Sequence, residues 1–226
     1  VPETGRPRHD AVILAGGRAR RLGGIVKPLV EVGGRSLLER ALDAAARADR
    51  IAVVGAVPVP PGVISTVEDP PFSGPAAGLA AGLAALSETA RSTDPAPWTL
   101  VLAADVPRVA EAVPALLAAA ALEPPVDGVC LHDAQSYPQW MLAVYRSTAL
   151  RTAVTAVPTT DLSMRRLLSP LRLMTIPAEP DDLADCDTWE DVEAAREREQ
   201  AMAAARGTTS TGPMSTRPTS TGDEGA

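Results

Sequence analysis

One lysine stands in the whole chain, Lys27, and it lies in a run of glycines and arginines. Residues 11–29 read AVILAGGRARRLGGIVKPL, so Arg18, Arg20, Arg21 and Lys27 sit beside Gly16-Gly17 and Gly23-Gly24. Glycine lets a backbone turn sharply and press its amides against a ligand, because no Cβ intervenes. Free amides and cations just after a strand are a means of holding phosphates. The plainer alternative is a glycine-rich turn with solvated arginines. A second residue able to do chemistry is Asp105, which follows the apolar run 98–104 and precedes Val106-Pro107. In open α/β sheets ligands bind beyond the carboxyl ends of strands, so an acid there can hold a metal ion. Asp-x-Pro is also turn chemistry. Taken together, a cationic loop and a strand-end carboxylate suit phosphoryl or nucleotidyl chemistry. That chemistry needs charge neutralisation and positioning more than a side-chain nucleophile.

Composition narrows the classes. Only two histidines are present, His9 and His132, so histidine-based nucleophilic catalysis has little to work with. A net charge of −7 argues against general nucleic-acid binding, and aromatic residues at 3 % argue against stacking platforms for single strands. Cys130 and Cys186 lack metal-ligand spacing and fit reduced, buried thiols in a cytoplasmic protein. No apolar stretch reaches membrane-spanning length and the opening residues lack a signal-peptide pattern, so no membrane partner is expected. The loop is neither G-x-x-x-x-G-K-[ST] nor G-x-G-x-x-G, which excludes the P-loop and the dinucleotide fingerprint.

Such residues need a scaffold, and the hydrophobic pattern predicts one. Residues 11–15 form a continuous apolar run before glycines, the mark of a buried parallel strand. Residues 29–32 read as a short extended piece before the turn Gly33-Gly34. Ser36 with Glu39 forms a capping box, and Leu37, Leu38, Ala41, Leu42 and Ala45 follow at helical spacing. Residues 51–55 and 63–67 read as strands, 98–104 as the strongest strand, and 126–131, 141–145 and 171–176 as further ones. Helices are expected over 111–122, 147–156 and 161–168, with Asp161 as N-cap of the last. Arg165-Arg166 there read equally as an anion site or a solvated face. Strand–helix–strand alternation demands right-handed crossovers and a mostly parallel sheet. The expected organisation is an N-terminal tail 1–9, one domain 10–204, and a C-terminal tail from 205 rich in Thr, Ser, Gly and Pro.

Several motifs resemble one family. Leu14-Ala15-Gly16-Gly17, Arg21-Leu22-Gly23-Gly24 and Lys27-Pro28-Leu29 match the L-x-G-G-x-x-x-R…K-x-L loop of nucleotidyltransferases. The spacing is similar to that of the molybdenum cofactor guanylyltransferases, the MobA-like NTP transferases. Glu68-Asp69 followed by Gly74-Pro75-Ala76-Ala77-Gly78-Leu79 resembles the family's second signature, and residues 185–192 its closing motif. Three positions depart from the pattern: Val26 where an acid is usual, Asp185 for asparagine and Trp189 for proline. The resemblance implies an α/β, Rossmann-like three-layer sandwich of the nucleotide-diphospho-sugar transferase type. It implies a transfer of GMP from GTP to molybdenum-molybdopterin, with Mg2+ as cofactor and pyrophosphate released. The alternatives are CTP as donor, another cofactor-precursor phosphate as acceptor, or a non-catalytic nucleotide-binding module. The catalytic residues it implies are Arg21, Lys27 and Asp105. Nucleotide contacts fall on Leu14, Ala15, Gly16, Gly17, Lys27, Asp69, Gly78 and Asp105, with the base and ribose beside the Gly74–Leu79 turn. Metal ligands fall on Asp105 and Asp187, with Asp185 left open against Asp187. Residues 136–140 correspond to a segment lining the acceptor site, although Trp140 also reads as core. Transient contact with molybdoenzymes or other cofactor-biosynthesis proteins is implied as well.

Overall fold

Parallel pairing of short apolar runs builds the centre of the molecule. The computed structural model describes residues 7–17, 25–89 and 95–208. In chain order come β1 (His9–Leu14), a 3-10 turn (Lys27–Leu29), β2 (Glu31–Val32), β3 (Arg35–Ser36), α1 (Leu37–Ala44), β4 (Ile51–Val54) and β5 (Ile64–Thr66). Then follow α2 (Pro75–Glu88), β6 (Trp98–Ala103), α3 (Val109–Ala121), β7 (Gly128–His132), β8 (Pro138–Arg146) and α4 (Ser147–Ala156). The chain closes with α5 (Met164–Leu168), β9 (Leu173–Pro177), α6 (Pro180–Leu183) and α7 (Trp189–Thr208). One sheet takes the order β5-β4-β1-β6-β8-β7-β9, and β2 and β3 form a separate hairpin. All pairings in the large sheet are parallel except those of β8, which runs against β6 and β7.

Alternating side chains along the central strands feed two cores. Ala11 and Ile13 of β1 and Leu100 and Leu102 of β6 pack with Leu38 and Ala41 of α1 and Val109, Val113 and Leu116 of α3. Val12 and Val101 face the other way, onto Leu79, Leu83 and Leu86 of α2, Leu150 of α4 and Leu167 of α5. Helices on both faces of the sheet give the three-layer arrangement. Full burial of each Leu, Ile or Val stabilises by about 1.5–3 kcal/mol, so these faces dominate the stability of the fold. Gly82 shows how closely α2 is drawn in: a Cβ there would stand 2.6 Å from Val12 Cγ1. A third core joins Val30, Val32 and Leu37 to Cys186, Val192 and Ala195, and fastens α7 over the β2–β3 hairpin. Among the described residues no helix is long and apolar enough to cross a membrane.

Some boundaries differ from the sequence expectation. His9 belongs to β1 and is buried, because β1 begins pairing at His9 opposite Trp98. Helical backbone continues to Thr208, beyond the expected boundary at 204, and residues 209–226 lie outside the described residues. β8 starts at Pro138, so Pro138, Gln139 and Trp140 are strand residues and not a preceding loop. The N-cap of α5 is Ser163, whose side chain accepts from the Arg166 amide. Asp161 instead takes φ 55 and donates its amide to the Ser73 carbonyl at 2.7 Å, a tertiary contact that outcompetes the local cap. Both arginines of the 165–166 pair are exposed.

Candidate active site

Three distant segments meet at the carboxyl end of the sheet. The Lys27 ammonium donates to Asp105 Oδ2 at 2.8 Å and to Asp187 Oδ1 at 2.5 Å. Parallel pairing explains the first meeting. Leu14 and Ala103 lie opposite each other at the ends of β1 and β6, and the Ala104 amide donates to the Leu14 carbonyl at 3.0 Å. The loop after β1 and the acid after β6 therefore leave the sheet side by side. Lys27 is set by the 3-10 turn, which Pro28 opens at its first positions and where Pro28 is buried. Val26, at the position where the family has an acid, is half exposed at 48 %, and only its backbone carbonyl serves the turn, accepting the Leu29 amide at 2.8 Å.

The closing loop is delivered by its central residue. Cys186 is fully buried in the third core, and its amide donates to the Asp105 carbonyl at 3.0 Å. With Cys186 turned inward, Asp185 and Asp187 on either side are left exposed. The start of α7 is fixed just beyond. Thr188 and Asp191 exchange backbone and side-chain hydrogen bonds at 2.7–3.2 Å, a capping box with aspartate in the glutamate position. The Trp189 that replaces the usual proline is 44 % exposed and does not prevent this cap.

Carboxylate oxygens of Asp105, Asp185 and Asp187 all lie within 4.8 Å of one another. This set joins the expected ligands Asp105 and Asp187 and adds Asp185, which the sequence left undecided. Asp185 is exposed by surface area but loses part of its hydration among its neighbours, and that desolvation, then repulsion from Asp187 and Asp105, holds its carboxyl above the ordinary range. Burial pulls Lys27 down, but attraction to Asp105 and Asp187 outweighs it, and the net shift is upward from 10.5. A raised lysine favours the charged form in the folded chain. Its contribution is therefore complete below 10.5 and lost only as pH climbs through the higher folded value. Three crowded carboxylates with oxygen-only donors fit a hard divalent cation such as Mg2+.

Beside this cluster opens a cavity of ≈ 280 Å³, whose wall includes Leu14, Gly16, Gly17, Gly74, Gly78 and Asp105. Five of the expected nucleotide contacts thus line one space. Ala15 lines the adjoining cleft instead, together with Gly16, Gly17, Lys27 and Gly55. Gly55 is required there: its φ is +150, and a Cβ would stand 2.7 Å from the Ala15 carbonyl oxygen. A Cβ at Gly78 would meet Leu14 and Val54 only at 3.4 and 3.5 Å, ordinary contact, so the close helix packing rests on Gly82 and not on Gly78. Asp69 is exposed and absent from both walls, whereas its neighbour Glu68 lines both. The reason is conformational: Glu68 Oε1 accepts the Phe72 amide at 2.9 Å, which folds the loop so that residue 68 turns inward. Phe72 lies in both walls at φ 68, and Met141 of β8 also lines the cavity. Sequence reading missed Glu68, Phe72 and Met141. The acid next to Asp69 was the available signal for the first, while nothing local marked the others. Trp140 packs against the α2–α4 core as an apolar side chain. Arg21 lies outside the described residues.

Comparison with known proteins follows the same outline. The family model for the MobA-like NTP transferase domain matches residues 11–175. That span holds Lys27 and Asp105 and stops short of Asp185 and Asp187. A molybdenum cofactor guanylyltransferase of Nitrobacter hamburgensis is 38% identical over 113 residues, covering 45% of this chain and 50% of the relative. The protein of the same name from Rhodopseudomonas palustris is 38% identical over 113 residues, covering 47% of this chain and 52% of the relative. The matched segment spans about half the length of these curated relatives. Among solved structures, molybdopterin-guanine dinucleotide biosynthesis protein A of Archaeoglobus fulgidus superposes with a TM-score of 0.62 at 20% identity. The superposition covers 85% of this chain and 100% of that one, a likeness of fold.

Proposed function

The chain belongs to the MobA-like NTP transferase family, and from that premise we propose that it transfers a nucleoside monophosphate from an NTP to a phosphate acceptor. The donor is GTP, the acceptor molybdenum-molybdopterin, and pyrophosphate leaves. The observation that carries this reading is the meeting of Lys27, Asp105 and Asp187 beside the Gly16-Gly17 turn and its cavity. The name of the two curated relatives supports the choice of donor and acceptor.

The chain's residues divide the work. The amides of residues 15–17, the Lys27 ammonium and, from the sequence pattern, Arg21 hold the triphosphate and offset its charge. The cavity between Leu14 and Gly78 takes the base and ribose. Glu68 offers a carboxylate at its wall, which can accept from both N–H donors on the Watson–Crick edge of guanine. Cytosine presents one such donor and a repelling lone pair, so this wall favours GTP. Asp105, Asp185 and Asp187 would hold Mg2+, which supplies charge neutralisation at the phosphates when bound. The protein then positions an acceptor oxygen in line with the α-phosphate, where loss of freedom on binding lowers the barrier to attack. Two buried free thiols suit a cytoplasmic setting, and handover of the product implies transient contact with molybdoenzymes.

Incubation with each of the four triphosphates, Mg2+ and molybdenum-molybdopterin tests the reading by pyrophosphate release and dinucleotide product. GTP-dependent product is expected. Product from CTP alone would move the assignment to a cytidylyltransferase, and nucleotide binding without turnover would make the chain a binding module.

A further inference from the structure

The ammonium of Lys27 stands where a cation is needed, between two of the three carboxylates. It lies 2.8 Å from Asp105 Oδ2 and 2.5 Å from Asp187 Oδ1, and both carboxylates belong to the cluster whose oxygens gather within 4.8 Å. The lysine side chain is held there, with 15 % exposure against 50 % for Asp187. An ammonium and a divalent ion compete for the same carboxylates, since each offers a limited number of acceptor directions and the two cations repel. Triphosphate provides Lys27 with another set of anionic oxygens a short reach away, because the Gly16-Gly17 turn and Lys27 line one cleft.

We propose that Lys27 is a resident counter-cation that keeps free divalent metal off the acid cluster until a nucleotide draws the ammonium away. This rests on the nucleotidyltransferase reading for the identity of the incoming anion, but the competition itself rests only on the Lys27 contacts. In the ligand-free chain the lysine neutralises part of the cluster and preserves its shape. On nucleotide binding the ammonium turns to phosphate, and the carboxylates are released to metal in the same event. Metal and nucleotide then enter as a coupled pair, and by linkage each raises the affinity of the other. Lys27 is thus a positioning residue for the carboxylates as well as a phosphate ligand.

The test is a Mn2+ titration of the nucleotide-free protein, read by water-proton relaxation and calorimetry. Wild type is expected to bind weakly. Lys27→Met, which keeps the stem and removes the charge, is expected to bind Mn2+ about tenfold or more tightly at low salt. Lys27→Arg should stay weak, and adding Asp105→Asn to Lys27→Met should abolish the gain. Circular dichroism confirms that each variant is folded. Unchanged Mn2+ affinity in folded Lys27→Met overturns the proposal, as does a gain that survives Asp105→Asn. A parallel GTP titration of wild type keeps the two ideas apart: absence of nucleotide binding would sink the functional reading and leave the Mn2+ comparison still decisive for Lys27.

Discussion

Acid–cation pairs sit at both ends of β1, and they serve different ends. At the amino end Asp10 receives Arg50 on both oxygens, at 3.1 and 2.6 Å, and its side chain is 2 % exposed. Arg50 also donates to the Leu86 carbonyl, so the pair ties the sheet to the end of α2. At the carboxyl end Lys27 is shared by Asp105 and Asp187, which are 31 % and 50 % exposed and crowd a third carboxylate. One arrangement is saturated, bidentate and closed. The other is crowded and open to a cleft, and desolvation followed by repulsion from Asp187 and Asp105 holds Asp185 above its ordinary range. Charge pairs of the same elementary kind thus differ in how far burial closes them and in how completely they satisfy one another, and the open, unsatisfied one is the candidate for function.

The strongest way to break this contrast is to remove one acid from each end. Asp10→Ala leaves a largely buried guanidinium unpaired, which costs about 3 kcal/mol of stability. The lower end of the usual range applies because Arg50 keeps 22 % of its side chain exposed. Denaturant unfolding should show the loss, while turnover per folded molecule stays near wild type. Asp105→Ala should do the reverse. Turnover should fall about a hundredfold or more, the scale of losing a group that stabilises transition-state charge. The melting temperature should change little, since Lys27 retains Asp187 and crowding is relieved. A stable Asp105→Ala protein with near-normal turnover would dissolve the functional half of the comparison.

Sequence alone revealed the amino-end strand and the carboxyl-end chemistry unequally. Continuous apolar runs marked β1, β4 and β6 because strands buried on both faces need no polar alternation. The cap at Ser36 and Glu39 was readable because it depends on residues three apart, and the structure forms both of its hydrogen bonds. Lys27 and Asp105 were readable from glycine context and from strand-end position. The inward turn of Glu68 rather than Asp69 was not, because a two-residue choice depends on the loop bond to Phe72. The displacement of Asp161 from its cap was hidden for the same reason, since its partner Ser73 lies far away in the chain. The Asp10–Arg50 pair left no local trace. Burial of an acid is decided by what packs over it, and the sequence expectation places Asp10 between the tail 1–9 and the apolar run that begins at Ala11.

A milder probe of the carboxyl end is Lys27→Ala. Nucleotide affinity should drop about tenfold, equivalent to roughly 1.4 kcal/mol, as one charge-assisted contact to phosphate is lost. Calorimetry against GTP with Mg2+ reads the change, and thermal melting should show a folded protein. Equal affinity in the folded variant would remove Lys27 from the phosphate site and leave its pairing with Asp105 and Asp187 as purely structural.

The smallest effect belongs to a third pair, which separates burial from location. Arg8 meets Asp49 at 3.0 Å, with side chains 54% and 38% exposed. It lies at the same amino end as Asp10–Arg50, since the Asp49 amide donates to the His9 carbonyl at 2.7 Å. If position at that end of the sheet made a pair structural, Asp49→Ala would destabilise as Asp10→Ala does. Solvent argues otherwise. Water already screens both groups, and holding two long side chains in one geometry costs entropy, so exposed pairs contribute less than about 1 kcal/mol. The Asp49 amide bond to His9 also survives the substitution, because it belongs to the backbone. Asp49→Ala should therefore shift the unfolding free energy by under about 1 kcal/mol, with the small loss fading further at high salt. A loss as large as that of Asp10→Ala, and insensitive to salt, would show that this end of the sheet depends on its charges collectively and that burial is not what sets Asp10 apart.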